Sequence, residues 1–274
     1  MSGFFDDLHV IAHTFQEYLS AWQIILQDMQ SLDFRLNLGK LELYPKYRKK
    51  ILGLLVDRHE GVIYIPEKKL QKIKLLSEEL LLKPRVTPRE LSGLTGLLVS
   101  CMQACAAIRL FNRSLNSMVA QGAGVENQGW DTPMAWWPEA RVEIQFLRDM
   151  LPVMHGRAYT PNTAWITMRT IGDASGDGAG AVLWGAQSPK QTRLGTSEKV
   201  PMQWRWSPEE EKFHINVKET LTYLRVLLSH AEIHDVNLYC LTDSQVACTA
   251  MAHLASSSEE ILQVVRAIWG ICLT

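Results

Sequence analysis

Residues 164–184 read AWITMRTIGDASGDGAGAVLW, and this pattern predicts a β-hairpin with an acid at its mouth. The β-rich run 164–172 is typical of a strand, which Asp173 closes. The glycine-rich residues 174–178 predict a turn into a second strand over 179–184. A dinucleotide-binding glycine motif would lead into a helix, whereas these glycines lead into a strand pattern. The residues therefore favour the hairpin.

Two further acids follow patterns that direct them towards the same place. Glu219 lies in a helix predicted over 207–230, which starts with a capping serine, a proline and three acids. Asp243 follows the β-rich run 236–241 and precedes a predicted helix over 244–254. It is thus expected at the C-terminal end of a strand, where open α/β sheets place their ligands.

The carboxylates of Asp173, Glu219 and Asp243 are therefore predicted to converge on one cleft. Converging carboxylates repel one another and raise each other's pKa unless divalent cations neutralise them. Hard oxygen ligands suit Mg²⁺ or Mn²⁺, the ions that phosphodiester hydrolysis commonly uses. Each acid taken alone is more simply an ordinary cap or turn residue. The three together favour a metal site.

The segment from about Trp165 to Leu273 resembles the ribonuclease H domain of retroelement reverse transcriptases. The motifs that carry the resemblance stand where that family has its first three catalytic acids: Gly172-Asp173-Ala174-Ser175, His214-Ile215-Asn216-Val217-Lys218-Glu219 and Leu241-Thr242-Asp243-Ser244-Gln245. The resemblance implies Mg²⁺- or Mn²⁺-dependent cleavage of RNA in RNA–DNA hybrids, with nucleic-acid contacts from Asn216, Ser244 and Gln245. The second motif is most similar to retrotransposons that encode a tyrosine recombinase. The family has a fourth acid on a later helix, so we expect a C-terminally truncated domain.

The N-terminal residues resemble parts of a reverse transcriptase palm. Phe4-Phe5-Asp6-Asp7 is similar to the paired-aspartate hairpin, with Phe4 in the place usually held by tyrosine. The stretch 36–40 is similar to the next polymerase motif, and 51–57 to the primer-gripping hairpin. The resemblance implies metal binding and catalysis by Asp6 and Asp7. It also implies nucleic-acid contacts from Lys40 and Gly53.

The fingers and the third polymerase aspartate would precede Met1, so we do not expect polymerase activity from this chain alone.

The stretch that follows the polymerase motifs, where the resemblance places a thumb, is rich in basic residues. Lys49 and Lys50 belong to a basic stretch over 46–89, where a thumb would contact a duplex backbone. A solvated helix face balanced by glutamates remains an equally open interpretation.

The fold class implied is α/β: a ribonuclease H-like mixed sheet with flanking helices, preceded by a mostly helical thumb and connection and a palm remnant. The predicted regions are a palm remnant at 1–60, a helical thumb and connection at 61–120, a linker and connecting helix at 121–160 and the ribonuclease H-like domain at 161–274. Helices are predicted at 15–31, 66–82 and 87–118, with a linker at 121–129.

Composition is that of a globular protein without a whole-surface affinity for nucleic acid. The 274 residues are 47% hydrophobic and 21% charged, with a formal net charge of -1 and a pI near 6.7. The five cysteines form no Cys-x-x-Cys pair, which favours a reducing compartment, with Cys101 and Cys105 as buried core thiols. No signal peptide or membrane span is expected, so we predict an intracellular protein, cytoplasmic or nuclear, without a membrane partner.

Two function classes stay open at this point. One is a metal-dependent hybrid nuclease joined to a polymerase thumb, whose partners are an RNA–DNA hybrid or primer-template duplex and the remainder of the same polyprotein. The other is a catalytically inactive retroelement remnant that keeps a nucleic-acid-binding or structural role.

Overall fold

The structure, a computed structural model, describes residues 2–4, 7–35, 37, 39, 44–124, 129–159, 166–186, 199–231 and 236–272. The chain divides into two compact units, Met1–Lys49 and Lys50–Thr274.

The described residues of the first unit form a short antiparallel pair, β1 (Ser2–Phe4) and β2 (Asp7–His9), and the helix α1 (Phe15–Ser31). The helix has the predicted bounds because Thr14 and Glu17 form a capping box, in which the Glu17 amide donates to Thr14 Oγ1 at 3.2 Å. Part of the predicted paired-aspartate hairpin lies outside the described residues, namely Asp6 and the side chain of Asp7. Lys40 lies outside them as well.

The second unit begins within the first strand of a small sheet. The strands are β3 (Arg48–Ile51), β4 (Leu54–Asp57), β5 (Val62–Tyr64) and β8 (Arg157–Ala158), and their order in the sheet is β3-β4-β5-β8. Leu52 and Gly53 connect the first two strands with φ angles of +48° and +77°. Two successive positive φ angles are typical of the tight turn of a β-hairpin, so the predicted hairpin at 51–57 is confirmed as a local structure.

Four helices surround the largest apolar core of the unit. They are α2 (Glu67–Leu82), α3 (Pro88–Val99), α4 (Arg113–Ala123) and α5 (Pro138–Met154). A two-stranded pair, β6 (Arg85–Val86) with β7 (Met134–Ala135), lies among them. Cys101 and Cys105 belong to this core, as predicted, and burial raises the pKa of the Cys105 thiol to about 11.

The predicted continuous helix over 87–118 is wrong. The Thr87 capping box starts α3 as expected, but the helix ends at Val99, and a 3-10 turn over Ala106–Arg109 precedes α4. The Ser100 hydroxyl donates to the Leu97 carbonyl at 2.6 Å and so competes with the helical hydrogen-bond ladder. The predicted linker is also wrong in its first residues, since α4 continues through Ala123; residues 125–128 lie outside the described residues.

The C-terminal part of the unit contains a four-stranded sheet. The strands are β9 (Ile166–Ala174), β10 (Gly178–Ala186), β11 (Lys199–Arg205) and β12 (Val236–Leu241), and their order in the sheet is β11-β10-β9-β12. β9 pairs antiparallel with β10 and parallel with β12, while β10 pairs antiparallel with β11. The helices are α6 (Ile215–Ser229), α7 (Gln245–His253) and α8 (Glu259–Ile271).

One face of this sheet packs against α6. Ala181 and Leu183 of β10 form a buried cluster with Val226 of the helix, and Ala179 packs with Leu221. The predicted α/β class, with a mixed sheet and flanking helices, is confirmed. The predicted region boundaries at 60, 120 and 160 stay predictions.

The helix predicted from Ser207 is wrong at its start, since α6 begins at Ile215. The predicted cap does form: the Glu210 amide donates to Ser207 Oγ at 3.2 Å. This cap starts only a 3-10 turn over Glu210–Lys212. The helix does not continue from there, because Phe213 and His214 have extended backbones with ψ near 145° and 147°. His214 then provides a second cap, accepting from the Asn216 amide at 3.2 Å.

The C-terminal helix joins this sheet region to the helical region. Arg266 of α8 bonds to Glu143 of α5 at 2.8 Å and to the Leu110 carbonyl at 2.7 Å. The ring of Trp269 packs edge-on to Phe111, with ring centroids 5.9 Å apart. Within the described part of the chain, no helix is long and apolar enough to cross a membrane.

Candidate metal centre

The three predicted acids meet at one edge of the C-terminal sheet. One carboxylate oxygen from each of Asp173, Glu219 and Asp243 lies within 4.8 Å of the other two. The strands β9 and β12 are parallel neighbours, so their C-terminal ends, which carry Asp173 and precede Asp243, share an edge. Helix α6 supplies Glu219 from its second turn. The structure thus brings the three together, while their roles in catalysis and metal binding stay predictions.

Glu219 is the buried member of the three acids. Its side chain is 7% exposed, and its Oε2 atom has no hydrogen-bond partner among the described residues. Burial raises the pKa of the Glu219 carboxyl, and the negative charges of Asp173 and Asp243 raise it further, against the Ala174 amide, which lowers it. A buried acceptor without a donor is costly in water-free surroundings.

A divalent cation fits this arrangement. Asp173 and Asp243 are exposed, so the cluster is open to solvent on one side and closed by Glu219 on the other. All three groups offer carboxylate oxygens, the ligands that Mg²⁺ and Mn²⁺ prefer. A cation among them would satisfy the unpaired Glu219 oxygen and offset the mutual repulsion of the carboxylates.

The turn between β9 and β10 is held tightly beside the cluster. Ser175 organises it, because its amide donates to the Gly178 carbonyl at 2.7 Å and its hydroxyl to Asp177 Oδ1 at 3.0 Å. Lys218, only 4% exposed, donates from Nζ to the Gly176 carbonyl at 2.6 Å. Since Lys218 directly precedes Glu219, this bond ties the turn that follows Asp173 to the helix that carries Glu219.

Close packing of α6 on β9 depends on one glycine. A Cβ atom at Gly172 would lie 2.9 Å from Thr222 Cγ2, which is too close for an undisturbed contact. Glycine therefore lets the helix approach the strand directly before Asp173. The short distance between Glu219 and Asp173 follows from this approach.

Asp243 sits in a loop that is fixed on both sides. The Ser244 amide donates to Thr242 Oγ1 at 3.1 Å, and Ser244 Oγ accepts from the Ala247 amide at 3.2 Å as the cap of α7. The predicted nucleic-acid contact Ser244 therefore already uses its hydroxyl as a helix cap. Gln245 beside it is exposed.

The other predicted nucleic-acid residues are distributed over two places. Asn216 is half-buried in the first turn of α6, on the helix that carries Glu219. Lys49 and Lys50 lie in β3 and Gly53 in the following turn, so they belong to the β3-β4 hairpin and not to the elements around the cluster.

Tyr223 was not among the predicted site residues, but the structure places its side chain at this edge of the sheet. Its Oη atom lies 2.5 Å from the Leu241 carbonyl and 3.2 Å from the Gly172 carbonyl. Helical spacing from Glu219, four residues earlier, places Tyr223 on the same helix face. That spacing predicts a residue facing the sheet, but its two carbonyl partners depend on the tertiary structure.

No protein-family model and no curated protein matches this chain. Among solved structures it is similar to the foamy viral protease-reverse transcriptase. The dRH form in complex with double-stranded DNA has a TM-score of 0.45 and 14% identity, covering 95% of this chain and 42% of that chain. The complex with RNA/DNA hybrid has a TM-score of 0.44 and 14% identity, covering 94% and 32%. The complex with double-stranded DNA has a TM-score of 0.44 and 16% identity, covering 90% and 46%. The chain spans less than half of each of these chains, and its function is inferred from its own residues.

Proposed function

We propose that residues 166–272 act as a divalent-cation-dependent nuclease that hydrolyses the RNA strand of RNA–DNA hybrids, within a reverse transcriptase and ribonuclease H polyprotein. The observation that carries the proposal is the cluster of Asp173, Glu219 and Asp243, whose oxygens lie within 4.8 Å of one another. Three carboxylates at this separation repel strongly unless a cation lies between them.

Each side chain has a separate task in this proposal. Glu219 holds the cation from the protein side, because it is buried and its Oε2 atom lacks a donor among the described residues. Asp173 and Asp243 are exposed and would complete the coordination where a phosphodiester can approach. Mg²⁺ or Mn²⁺ bound there would supply the positive charge that activates a water and stabilises a leaving oxygen.

The openness of the cluster favours a polymeric substrate. Two of the three carboxylates are exposed at the sheet edge. Two polar side chains lie near them in the chain: Asn216 is on α6, the helix that carries Glu219, and Gln245 follows Asp243 by two residues. Recognition of RNA in a hybrid relies on the 2′-hydroxyl, which polar side chains can contact. The block 214–219 supports a relation to retrotransposons that encode a tyrosine recombinase.

Hybrid cleavage by the full chain tests the proposal. A hybrid labelled on its RNA strand is incubated with the wild type in Mg²⁺ or Mn²⁺, with duplex DNA and single-stranded RNA as substrate controls. Asp173→Asn keeps the shape and removes one charge, so we expect cleavage to fall by about 100-fold or more. Asp149→Asn, an exposed acid of α5 that pairs with its neighbour Arg148, is the matched control and should cleave like the wild type.

Two outcomes would count against the nuclease. Cleavage that persists in Asp173→Asn or in EDTA would assign the activity to another site or to a contaminant. Hybrid binding without any cleavage by the wild type would instead support the non-catalytic nucleic-acid-binding alternative.

A further inference from the structure

Tyr223 connects the three elements that carry the carboxylates. It lies on α6 one turn after Glu219 and is 1% exposed. Its Oη atom reaches the Gly172 carbonyl at 3.2 Å and the Leu241 carbonyl at 2.5 Å. Gly172 directly precedes Asp173 on β9, and Leu241 is the last residue of β12, two residues before Asp243.

The position of this hydroxyl coincides with the end of the strand pairing. The parallel ladder between β12 and β9 ends at the pair Leu241 and Ile171. The Leu241 carbonyl belongs to that last pair, and the Gly172 carbonyl lies one residue beyond it. The Tyr223 hydroxyl approaches both carbonyls from the side of α6. Since a hydroxyl has one proton, it donates mainly to the nearer carbonyl, that of Leu241.

The phenol keeps its proton at neutral pH. Burial raises the pKa of Tyr223 above its ordinary value near 10, against a hydrogen bond from Thr242, which lowers it. Tyr223 is therefore a hydrogen-bond donor throughout the range in which a nuclease would be assayed.

We infer that Tyr223 is a positioning residue for the metal centre: its hydroxyl fixes the ends of β9 and β12 against α6 and so sets the spacing of Asp173 and Asp243 around Glu219. It touches neither the cation nor the nucleic acid, because it is buried behind the sheet edge. The inference rests on the proposed function, in which these carboxylates hold the cation.

One variant and two matched controls separate positioning from packing. Tyr223→Phe keeps the ring and removes only the hydroxyl. Thr95→Val removes a buried hydroxyl of α3, which donates to the Ser92 carbonyl within the same helix at 3.2 Å and lies on none of the elements that carry the carboxylates. Tyr239→Phe, a 51% exposed tyrosine of β12, controls for the loss of a phenol hydroxyl in general.

The primary readout is the affinity of the full chain for Mn²⁺ alone, measured by calorimetric titration. Loss of an interaction that orients metal ligands typically weakens metal binding by about 10- to 100-fold. For Tyr223→Phe we expect about a tenfold weaker Mn²⁺ affinity, which corresponds to ~1.4 kcal/mol. Thr95→Val and Tyr239→Phe should bind Mn²⁺ like the wild type, whatever their unfolding midpoints. In hybrid cleavage, Tyr223→Phe should lower kcat and leave KM unchanged.

The outcomes distinguish this inference from the proposed function. If the wild type binds Mn²⁺ through Asp173 but does not cleave hybrids, and Tyr223→Phe weakens that binding, the nuclease proposal fails while the positioning role stands. If the wild type cleaves and Tyr223→Phe loses no more Mn²⁺ affinity than Thr95→Val, the positioning role is overturned and the nuclease stands. If the wild type shows no Mn²⁺ binding that depends on Asp173, both are overturned.

Discussion

Neutralising Glu219 should stabilise the protein when no divalent cation is present. In Glu219→Gln the side-chain oxygen can still accept from the Ala174 amide, the contact that lowers the pKa of Glu219 in the wild type. The new amide group can occupy the place of Oε2, which has no partner among the described residues, and can donate towards Asp173. The change therefore removes repulsion and adds a donor where the wild type lacks one.

The size of the effect follows from the separation of the carboxylates. Two unit charges 4.8 Å apart, the upper limit in this cluster, repel by about 3 kcal/mol at an effective dielectric constant of 20 and by about 1 kcal/mol in bulk water. Asp173 and Asp243 are exposed, so screening reduces the repulsion that each exerts on Glu219. We expect Glu219→Gln to raise the free energy of unfolding by about 1–3 kcal/mol at pH 7 in EDTA.

The pH dependence has a definite sign. The pKa of Glu219 is raised in the folded protein, so its contribution to stability is present at low pH and is lost as pH rises through that raised value. Glutamine does not titrate, so the advantage of Glu219→Gln should be largest at neutral pH. It should vanish as the pH falls below the ordinary glutamate pKa of about 4.3.

Urea unfolding in EDTA and in saturating Mg²⁺ measures both parts of the prediction. The wild type should gain stability with Mg²⁺, by about 2.7 kcal/mol at 100 times the dissociation constant, and Glu219→Gln should gain much less. Glu211→Gln, an exposed glutamate of the preceding 3-10 turn, is the control and should behave like the wild type. A Glu219→Gln variant that is less stable than the wild type in EDTA would refute the repulsion on which the metal centre depends.

Three further changes test the surroundings of the site. Arg266→Met should destabilise the protein by about 3–5 kcal/mol in urea unfolding, because the 4% exposed Glu143 carboxylate loses its cation and keeps only the neutral donors of Ser114 and Leu115. Adding Glu143→Leu should restore part of the loss, and equal stability of the single and double variants would contradict this. Lys218→Met should cost about 1 kcal/mol, the net value of one hydrogen bond, because the exposed Gly176 can bond to water instead. An unchanged unfolding midpoint would show that this bond contributes nothing. Burial lowers the pKa of His155, whose Nδ1 accepts from the Ile65 amide, so its contribution to stability should be complete above about pH 6.5 and decline as the pH falls below that value. His155→Gln should flatten that decline, and an equally steep one would exclude His155 as its source.

Local patterns were enough to predict several elements. The bounds of α1 match the predicted 15–31, since apolar residues at helical spacing marked the helix. The Thr14 and Glu17 capping box seen in the structure fixes its start. The strand 236–241 was likewise predicted with its observed bounds from an uninterrupted β-rich run. The hairpin after Asp173 forms because the glycines of its turn lead directly into a second strand.

The errors arose where a correct start signal did not determine how far a helix continues. Ser207 caps as predicted, but only a single 3-10 turn follows before His214 starts the helix again. Thr87 also caps as predicted, and the helix then ends at Val99, where Ser100 bonds back to the chain. Helix length depends on tertiary packing more than on the first turn, so a cap alone does not predict it.

Motif spacing predicted which acids converge at the site, but not what surrounds them. Asp173, Glu219 and Asp243 could be placed at strand ends and on a helix from the sequence. The burial of Glu219 and the two carbonyl contacts of Tyr223 depend on how closely α6 approaches the sheet. No pattern along the chain encodes that distance directly.

The central claim is that these three carboxylates form a divalent-cation site, and anomalous diffraction from crystals of the protein soaked in Mn²⁺ tests it most directly. We predict an anomalous peak about 2.0–2.2 Å from oxygens of Asp173, Glu219 and Asp243, which disappears in crystals of Asp173→Asn. Crystals that bind Mn²⁺ only elsewhere, or that show no peak at this cluster at saturating Mn²⁺, would contradict the account.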